Sequence, residues 1–323
     1  MSFNSESHYD KPLRYSFRSF VADYILNRRS PSKKAWCLLG TTYALVIGVT
    51  YCYWNLLCYV RPISTIHKAM HPAIHYARET SDNPKLVIHR ADIDLLSQEI
   101  LPVVTAPSSK LDTEYVFTAK STTDFLQSTK SILAINGGFF DRTEIMDPWR
   151  YYPHRDDPVT PHGLVVRNGK RIELFKPGLP ALCFAKKYSA SIHRHGCPSG
   201  TWQGLAGAAE LVRDGIIQVP PRADDPLAPQ TAAALNTKGT HLTLYVVDGR
   251  QPGYSEGLTQ YALAELMVKN KHTAAISFDG GGSSTMAGHD KFGARLLNVP
   301  INAGIPFRQR FVATHLGVQV KRR

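Results

Sequence analysis

Residues 35–60 form an uncharged run of 26 residues, and this run constrains the chain more than any other feature. As a helix it would extend about 39 Å, enough to cross a bilayer with some tilt. Trp36, Trp54 and Tyr59 lie toward its ends, where aromatic rings favour the membrane interface. A buried core helix is the alternative, but uncharged runs of this length are rare in soluble cores. A cleaved signal peptide would be shorter and nearer the start of the chain. We therefore predict one transmembrane signal anchor over residues 35–60.

The flanking charges predict how this helix is oriented. Basic residues outnumber acidic ones in the tail, residues 1–34, whereas only Arg61 and Lys68 follow the run before Arg78. The positive-inside rule then keeps the tail in the cytoplasm and exports everything after the run. The exported part contains no Asn-x-Ser/Thr sequon, which favours a bacterial periplasmic or cell-surface setting. We expect a single-pass protein of the bacterial inner membrane.

Charge and cysteine content limit the classes of ligand. The net charge of +12 falls mostly on the exported part and suits an anionic ligand or a membrane surface. Nucleic acid is not expected as a partner, because no Lys/Arg run is interleaved with aromatic residues and the domain is expected outside the cytoplasm. Cys183 and Cys197 are too few for a zinc site, and a single disulfide between them is possible in an oxidising compartment.

The exported part is expected to form one strand-rich domain of the α+β (mixed α/β) class. Residues 61–85 are interpreted as a juxtamembrane connector, partly helical, and residues 86–323 as the domain itself. Asn168-Gly169 and Asp214-Gly215 each separate two alternating runs and predict tight hairpin turns. Apolar residues at helical spacing predict one helix over 258–269.

Three apolar strands run into turns rich in glycine and polar residues. These turns read N-G-G-F-F-D at 136–141, D-G-R-Q-P-G-Y-S-E-G at 248–257 and D-G-G-G-S-S-T at 279–285. Any one alone is as readily a tight connection as a site. Three in one domain favour a shared site, because open sheets bind ligands at the carboxyl ends of their strands.

The triple glycine of the third turn is the strongest single signal. Each glycine costs backbone entropy on folding, so a run of three normally marks the close approach of a ligand or another segment. Its N–H groups and the hydroxyls of Ser283, Ser284 and Thr285 would suit an oxyanion. The turn is not a Walker A loop, since the lysine is missing and the glycine spacing is wrong.

In wording, order and spacing these three motifs resemble the phosphodiester glycosidase family. The similarity extends over about residues 86–320 and includes P-H-G-L-V-V-R-N-G at 161–169, A-G-A-A-E-L-V-R-D-G at 206–215 and R-F-V-A-T-H-L-G-V at 310–318. The resemblance implies a hydrolase acting on sugar-1-phosphate diesters. The expected substrate is a phosphorylated sugar or polysaccharide in extracellular or envelope exopolysaccharide metabolism, and no cofactor is expected.

Cleavage of a glycosyl–phosphate bond requires a carboxylate to activate water and cationic or N–H groups to hold phosphate. We predict Asp279 and Asp248 as catalytic carboxylates, with Glu256 as a reserve acid or base. Arg250 would hold phosphate, although a purely structural ion pair with Asp248 is an open alternative. The residues expected to bind substrate are Asn136, Gly137, Gly138, Asp141, His162, Thr231, Arg250, Ser255, Gly280, Gly281, Gly282, Ser283 and Ser284.

The remaining histidines do not indicate a metal site. His154, His193 and His195 lie in proline-rich or exposed contexts without a zinc-binding helix motif, so exposed or gating positions are the better interpretation. His162 stands out because it precedes Gly163 in a segment similar to the family. We expect no bound metal, with a structural metal held by carboxylates as the open alternative.

One departure from the family keeps two other functions open. Relatives read Pro-Arg-Thr-Ala where this chain reads Pro229-Gln230-Thr231-Ala232. Loss of that arginine is compatible with a non-catalytic, membrane-tethered protein that binds or assembles glycans. It is also compatible with a glycosidase that acts on unphosphorylated exopolysaccharide.

Overall fold

The computed structural model describes residues 33–108, 117–142, 153–173, 176–186 and 189–321, so nearly all of the expected cytoplasmic tail lies outside the described residues. Residues up to Tyr59 form one unit, described here as the helix α1 (Lys33–Tyr59). The 22-residue stretch Trp36–Leu57 is long and apolar enough to cross a membrane, as a span or as part of a signal sequence. Its large apolar side chains are exposed.

Residues 60–321 form the second unit, which is mostly antiparallel sheet. Its first elements are β1 (Ile66–His71), β2 (Ile74–Asp82), β3 (Lys85–Asp94), β4 (Ile100–Val104), β5 (Phe117–Thr118), α2 (Thr122–Thr129), β6 (Leu133–Asn136), β7 (Phe140–Arg142), β8 (Pro158–Pro161), β9 (Leu164–Arg167), β10 (Lys170–Glu173), β11 (Ala181–Phe184) and β12 (Ala190–His193). They are followed by β13 (Gln203–Ala206), β14 (Ala209–Arg213), β15 (Ile216–Ile217), β16 (Gln230–Leu235), β17 (His241–Val247), α3 (Gln260–Lys269), β18 (Ala274–Ser277), a 3-10 turn (Gly281–Ser283), β19 (Met286–Asp290), β20 (Gly293–Leu296), β21 (Ile301–Asn302), β22 (Ile305–Pro306) and β23 (His315–Val320). The α+β, strand-rich class predicted from the sequence is confirmed.

The largest sheet has eight strands in the order β1-β2-β3-β17-β16-β18-β14-β15. Its central strands are covered on both faces. Ala232 and Ala234 of β16 pack with Leu263 and Met267 of α3 on one face, while Ala233 faces the main core on the other. Burial on both faces explains why β16 and β17 read as continuous apolar runs rather than as alternating ones.

Two further sheets have five strands, in the orders β20-β19-β6-β23-β4 and β10-β9-β13-β11-β12, and two small sheets have the orders β5-β8-β7 and β21-β22. Phe125 and Leu126 of α2 pack on the first five-stranded sheet against Ala134. In the second, a disulfide joins Cys183 of β11 to Cys197 after β12. The disulfide that the sequence left open is therefore formed.

The predicted turns and the predicted helix are confirmed. Asn168 and Gly169 have φ values of +51° and +79°, and Asp214-Gly215 likewise combines +52° with +77°, as two-residue hairpins require. The helix α3 begins at Gln260, two residues later than expected. It starts there because the Oγ1 of Thr259 accepts the N–H of Ala262 at 3.0 Å and caps the first turn.

The expectation of a partly helical connector over residues 61–85 is wrong. Residues 66–82 instead form β1 and β2, which pair with each other, and β2 pairs with β3 along its length. Ile74 and Tyr76 enter the main core, which stabilises this segment as sheet. The helical interpretation failed because the burial of these side chains depends on β3, a partner outside the segment.

Candidate active site

Asn136 at the end of β6 joins the first and third strand-end turns and β16. Its Nδ2 donates to the carbonyl of Asp279 at 2.7 Å, and its Oδ1 accepts the hydroxyl of Thr231 at 2.8 Å and the N–H of Thr285 at 3.0 Å. The carbonyl of Gly137 accepts the N–H of Asp279 at 3.0 Å. The first and third of the turns predicted to share a site therefore meet. Asn136 and Thr231 were expected to bind substrate. Their side-chain amide and hydroxyl groups instead make hydrogen bonds within the protein.

Gly137 and Gly138 are required by close packing. A Cβ added to Gly137 would lie 2.4 Å from the Oγ1 of Thr314, and one added to Gly138 would lie 2.5 Å from the carbonyl oxygen of Ala206. Such contacts are shorter than any side chain tolerates. These two glycines let β6 pack closely against neighbouring segments of the protein. Close packing of the chain therefore explains them without the substrate contact that the sequence predicted.

Asp279 is a buried carboxylate, with 8% of the residue exposed, directly after β18. Its Oδ2 accepts the hydroxyl of Ser283 at 2.5 Å, and the Oγ of Ser283 accepts an N–H from Nη1 of Arg310 at 3.1 Å. Burial raises the pKa of Asp279, and the hydrogen bond from Ser283 and the charge of Arg310 offset this only in part. The result is a carboxylate of increased basicity linked through one hydroxyl to a cation.

Two guanidinium groups approach the triple-glycine turn. Gly281 adopts a left-handed φ of +59°, and a Cβ added there would lie 2.9 Å from Nη1 of Arg250. A Cβ added to Gly282 would lie 2.6 Å from Nη2 of Arg310. The absence of side chains therefore lets both cations reach the backbone of this turn, which makes it a candidate anion site.

The N–H groups of this turn are already engaged within the protein. The N–H of Gly281 donates to the carbonyl of Pro229 at 2.8 Å, that of Ser283 to Gly280 at 3.2 Å, and that of Ser284 to Gly281 at 3.2 Å. The cradle of backbone donors suggested by the sequence is thus largely satisfied internally. The two arginines are the better candidates for contacting an anion.

His162 and Asp141 form a pair beside Asp279. The Nε2 of His162 lies 3.0 Å from Oδ2 of Asp141, with side-chain exposures of 8% and 52% respectively. Pairing of β7 with β8 brings the two residues together. The charge of His162 is one of the influences that lower the pKa of Asp279, which indicates their proximity. Phe139 is 43% exposed with its ring 6.5 Å from that of His162, so an apolar surface borders the pair.

Asp248 lies in a different environment. It is 1% exposed, and Nε2 of His89 and the hydroxyl of Tyr254 lie 3.0 Å from its Oδ2. Nδ2 of Asn298 and the N–H of Val299 donate to Oδ1 at 2.9 and 3.1 Å. An ionised carboxylate has about four acceptor positions, and these four groups fill them. The carboxylate predicted to be catalytic is enclosed by protein.

The other residues of the second turn divide into exposed and buried groups. Arg250 and Glu256 are exposed and are joined by a backbone hydrogen bond of 3.1 Å. Among the described residues, Arg250 makes no ion pair with Asp248. The structure therefore gives no support to a purely structural ion pair between them. Ser255 is buried; its Oγ donates to the carbonyl of Asp248 at 2.6 Å and accepts the N–H of Val87 at 3.0 Å.

Gln230 takes the position at which the sequence departs from the family. It is 6% exposed, and its Nε2 donates to the carbonyl of Leu258 at 2.9 Å. Its Oε1 would lie 3.5 Å from a Cβ added to Gly280. The side chain therefore stabilises the backbone behind the triple-glycine turn.

Sequence reasoning missed several residues of this site. Arg310 and Thr314 belong to the segment R-F-V-A-T-H, and its similarity to the family could have identified them. Asn298 lies outside every motif that resembles the family, so nothing in the sequence indicated its role. The hydroxyls of Ser284, Thr285 and Thr314 are buried without a hydrogen-bond partner in the described part of the chain. Within the same residues no group of three His, Cys, Asp or Glu side chains is arranged to hold a metal ion.

A buried carboxylate near two guanidinium groups and a histidine is a composition that suits hydrolysis of an anionic substrate. The model of the phosphodiester glycosidase family matches residues 129–319. The chain belongs to that family, which is a family of hydrolases, and the resemblance seen in the sequence is confirmed.

Solved structures share the fold. A hypothetical protein from Synechocystis is 11% identical with a TM-score of 0.56, the match covering 80% of this chain and 64% of that one. The zebrafish N-acetylglucosamine-1-phosphodiester alpha-N-acetylglucosaminidase catalytic domain, auto-inhibited by its pro-peptide, is 18% identical with a TM-score of 0.53 and coverages of 80% and 88%. A putative exported protein from Burkholderia pseudomallei is 14% identical with a TM-score of 0.52 and coverages of 73% and 74%. No curated protein sequence matches the chain significantly.

Proposed function

We propose that this chain is a membrane-anchored hydrolase that cleaves the glycosyl–phosphate bond of sugar-1-phosphodiesters. The observation that carries the proposal is the series Arg310–Ser283–Asp279, which joins a buried carboxylate to a guanidinium group through one hydroxyl. This reaction separates an electron-poor sugar from an anionic phosphate, so a base beside a fixed cation meets its needs. Membership of the phosphodiester glycosidase family supports the same activity.

Asp279 is proposed as the general base. Water attacks the anomeric carbon while the bond from this carbon to the phosphate oxygen breaks, and Asp279 takes the proton from the attacking water. Its raised pKa makes it a stronger base than an ordinary aspartate. The electron pair of the broken bond stays on oxygen, and the products are a phosphate monoester and a reducing sugar. Because phosphate leaves readily, little general-acid assistance is required.

Arg250 and Arg310 are proposed to hold the phosphate from two sides of the triple-glycine turn. A guanidinium group binds phosphate oxygens bidentately, and both groups lie within reach of the turn. The pair His162–Asp141 would orient hydroxyl groups of the sugar, with the exposed ring of Phe139 beside it. The apolar ring suits a sugar face.

Asp248 is proposed as a positioning residue. Its four hydrogen-bond donors leave no acceptor position for water or substrate. Its network connects the second turn to Val299 and, through Asn298, to the carbonyl of Ser284 at 3.1 Å. Asp248 would thus act by holding the turn that carries Arg250.

We further propose that the domain acts outside the cytoplasm, tethered by α1, in extracellular or envelope polysaccharide metabolism. The disulfide Cys183–Cys197 supports an oxidising compartment, and the apolar stretch Trp36–Leu57 supports a tether. Trypsin added to spheroplasts tests this orientation. The domain is cleaved if it is exported, whereas protection until the membrane is permeabilised would refute export.

The activity is tested with full-length protein in lipid nanodiscs and a panel of hexose-1-phosphate diesters, nucleotide sugars included. We expect release of reducing sugar that falls at least about a hundredfold in Asp279→Asn, the loss typical of removing a general base. Asp214→Asn is the matched control, because it removes an exposed carboxylate at a hairpin turn.

The same assay separates the competing functions. Release from unphosphorylated exopolysaccharide but from no phosphodiester would identify a conventional glycosidase. Retention of an anionic glycan without any release, by protein shown to be folded, would identify a binding protein. Either result would refute the proposed activity.

A further inference from the structure

A polar cavity of about 190 Å³ lies between segments of two sheets, lined by residues of β4, β9, β11, β13 and β23 and their flanking loops. The strand β23 connects this cavity to the candidate active site: His315 at its start pairs with Asn136, and Gln319 further along lines the cavity. Four residues of extended strand span about 13 Å. The cavity is therefore separate from the site around Asp279, and its volume fits one small group rather than a long oligomer.

The lining of this cavity is cationic. Arg167, Lys186 and Lys321 contribute to it, and the described lining residues include no acidic side chain. Nη1 of Arg167 donates to the carbonyl of Val104, which fixes the guanidinium group and leaves other N–H donors on it. Burial lowers the pKa of Arg167, so an anion that neutralised this charge would offset the cost of burying it.

An aromatic side chain holds one of the ammonium groups at the rim. Nζ of Lys186 lies 5.0 Å from the ring centroid of Trp202, which is 37% exposed. A cation over an aromatic face is attracted to the ring, which limits the positions that this lysine samples. The rim is thus ordered as well as charged.

Gln203 adds a requirement that a simple anion does not meet. It is 3% exposed and lines the cavity, and its Nε2 donates to Oδ1 of Asn168 at 2.8 Å. Its Oε1 is buried and has no hydrogen-bond partner in the described part of the chain. A buried acceptor without a donor costs free energy. A ligand in the cavity that supplied an O–H or N–H group to this oxygen, beside the anionic group that the cations attract, would remove this cost.

We propose that this cavity is a second, non-catalytic binding site for one acidic sugar, that is, a sugar carrying a carboxylate or a phosphate. The anionic group lies among Arg167, Lys186 and Lys321, and a sugar hydroxyl donates to Gln203. The site would hold a neighbouring acidic unit of a glycan or a free acidic sugar. It does not depend on the activity proposed for the Asp279 site.

The test is isothermal titration calorimetry of full-length protein in lipid nanodiscs with glucuronic acid, glucose 6-phosphate, glucose and inorganic phosphate. None of these is a sugar-1-phosphodiester, so turnover does not interfere. We expect both acidic sugars to bind more tightly than glucose or phosphate. The double variant Lys186→Met/Lys321→Met should weaken their binding about five- to tenfold, because each exposed ion pair contributes modestly.

Matched variants assign the binding to this cavity. Gln203→Leu should abolish the preference of the protein for glucose 6-phosphate over inorganic phosphate, because the hydroxyl acceptor is gone. Lys238→Met removes an exposed charge in another hairpin and should leave binding unchanged. Arg250→Met removes a cation proposed to hold phosphate at the candidate active site, so the weakening caused by the double lysine variant should persist in its background. Thermal unfolding of each variant checks that it is folded.

Three results would overturn the inference. Binding that survives the double lysine variant, or that is lost in Arg250→Met instead, would move the ligand away from this cavity. Equal affinity for inorganic phosphate and glucose 6-phosphate would reduce the site to an anion site. If neither acidic sugar binds, the cavity is not a sugar site and the proposal is wrong.

Discussion

Replacing Asp248 or Asp279 with asparagine should affect the stability of the protein differently, although both aspartates follow similar apolar strands. Asp248→Asn is expected to destabilise the fold, whereas Asp279→Asn is not. An asparagine at position 248 keeps the shape of the side chain but replaces one acceptor oxygen with an NH₂ group. At the Oδ2 position this group would face Nε2 of His89 and the hydroxyl of Tyr254, each 3.0 Å away in the wild type. Two buried groups would therefore meet a donor where they had an acceptor.

The expected cost is about 2–3 kcal/mol. A buried polar group that loses its partner costs about 1–3 kcal/mol, and two such losses set the scale. The value should lie toward the lower end, because His89 can change tautomer and its Nδ1 lies 2.8 Å from the hydroxyl of Tyr76, which can exchange donor and acceptor roles. For a domain of this size each kcal/mol lowers the Tm by about 2–4 °C, so a decrease of about 4–12 °C is expected.

Asp279→Asn should behave in the opposite way. Burial raises the pKa of Asp279, so the folded protein binds this proton more tightly than the unfolded chain. The associated stabilisation is present below the ordinary pKa of about 3.9 and is lost as pH rises through the raised value. At pH 7 the neutral asparagine should therefore be at least as stable as the wild type, although activity is lost.

Thermal unfolding followed by circular dichroism, with kcat/KM measured on the same preparations, distinguishes these outcomes. The reasoning would be refuted if Asp248→Asn kept the wild-type Tm while losing activity, since its carboxylate would then act on the substrate. It would equally be refuted if Asp279→Asn lowered the Tm by several degrees and retained turnover.

Three further predictions follow from the packing of the domain. Gly281→Ala should lower kcat/KM about tenfold, because the new Cβ meets a guanidinium group at 2.9 Å; Gly178→Ala, with a φ of +82° and open space around it, controls for backbone strain alone. Burial lowers the pKa of His315 to about 3, so stability present above its ordinary pKa of about 6.5 should be lost as pH falls toward 3, and His315→Gln should flatten this dependence of Tm on pH. Replacing both Cys183 and Cys197 with alanine should lower the free energy of unfolding by about 3 kcal/mol in urea titrations, because the disulfide closes a loop of 14 residues; no change in the urea midpoint would contradict this.

Local features of the chain were predictable because they depend on residues close together in sequence. The turns at Asn168-Gly169 and Asp214-Gly215 require positive φ at both positions, which these residue types tolerate. The alternating apolar and polar residues of β3 and the uncharged run of α1 are likewise patterns within one segment, so they predict a strand and a helix without knowledge of the rest of the fold. The connector was mispredicted because β2 becomes a strand through its pairing with β3.

The roles of the two aspartates could not be read in this way. Asp248 and Asp279 each follow an apolar strand and precede glycine, so their local sequences are alike. What separates them is contributed by distant segments: Asn298 and Val299 enclose the first carboxylate, whereas Arg310 reaches the second through one hydroxyl. The sequence by itself determined the apolar helix, the hairpin turns, most of the strands after residue 86 and the family. Only the tertiary structure decided which carboxylate is enclosed by four donors and which is linked to a cation, because desolvation and hydrogen bonding depend on residues that folding brings together from more than thirty positions away.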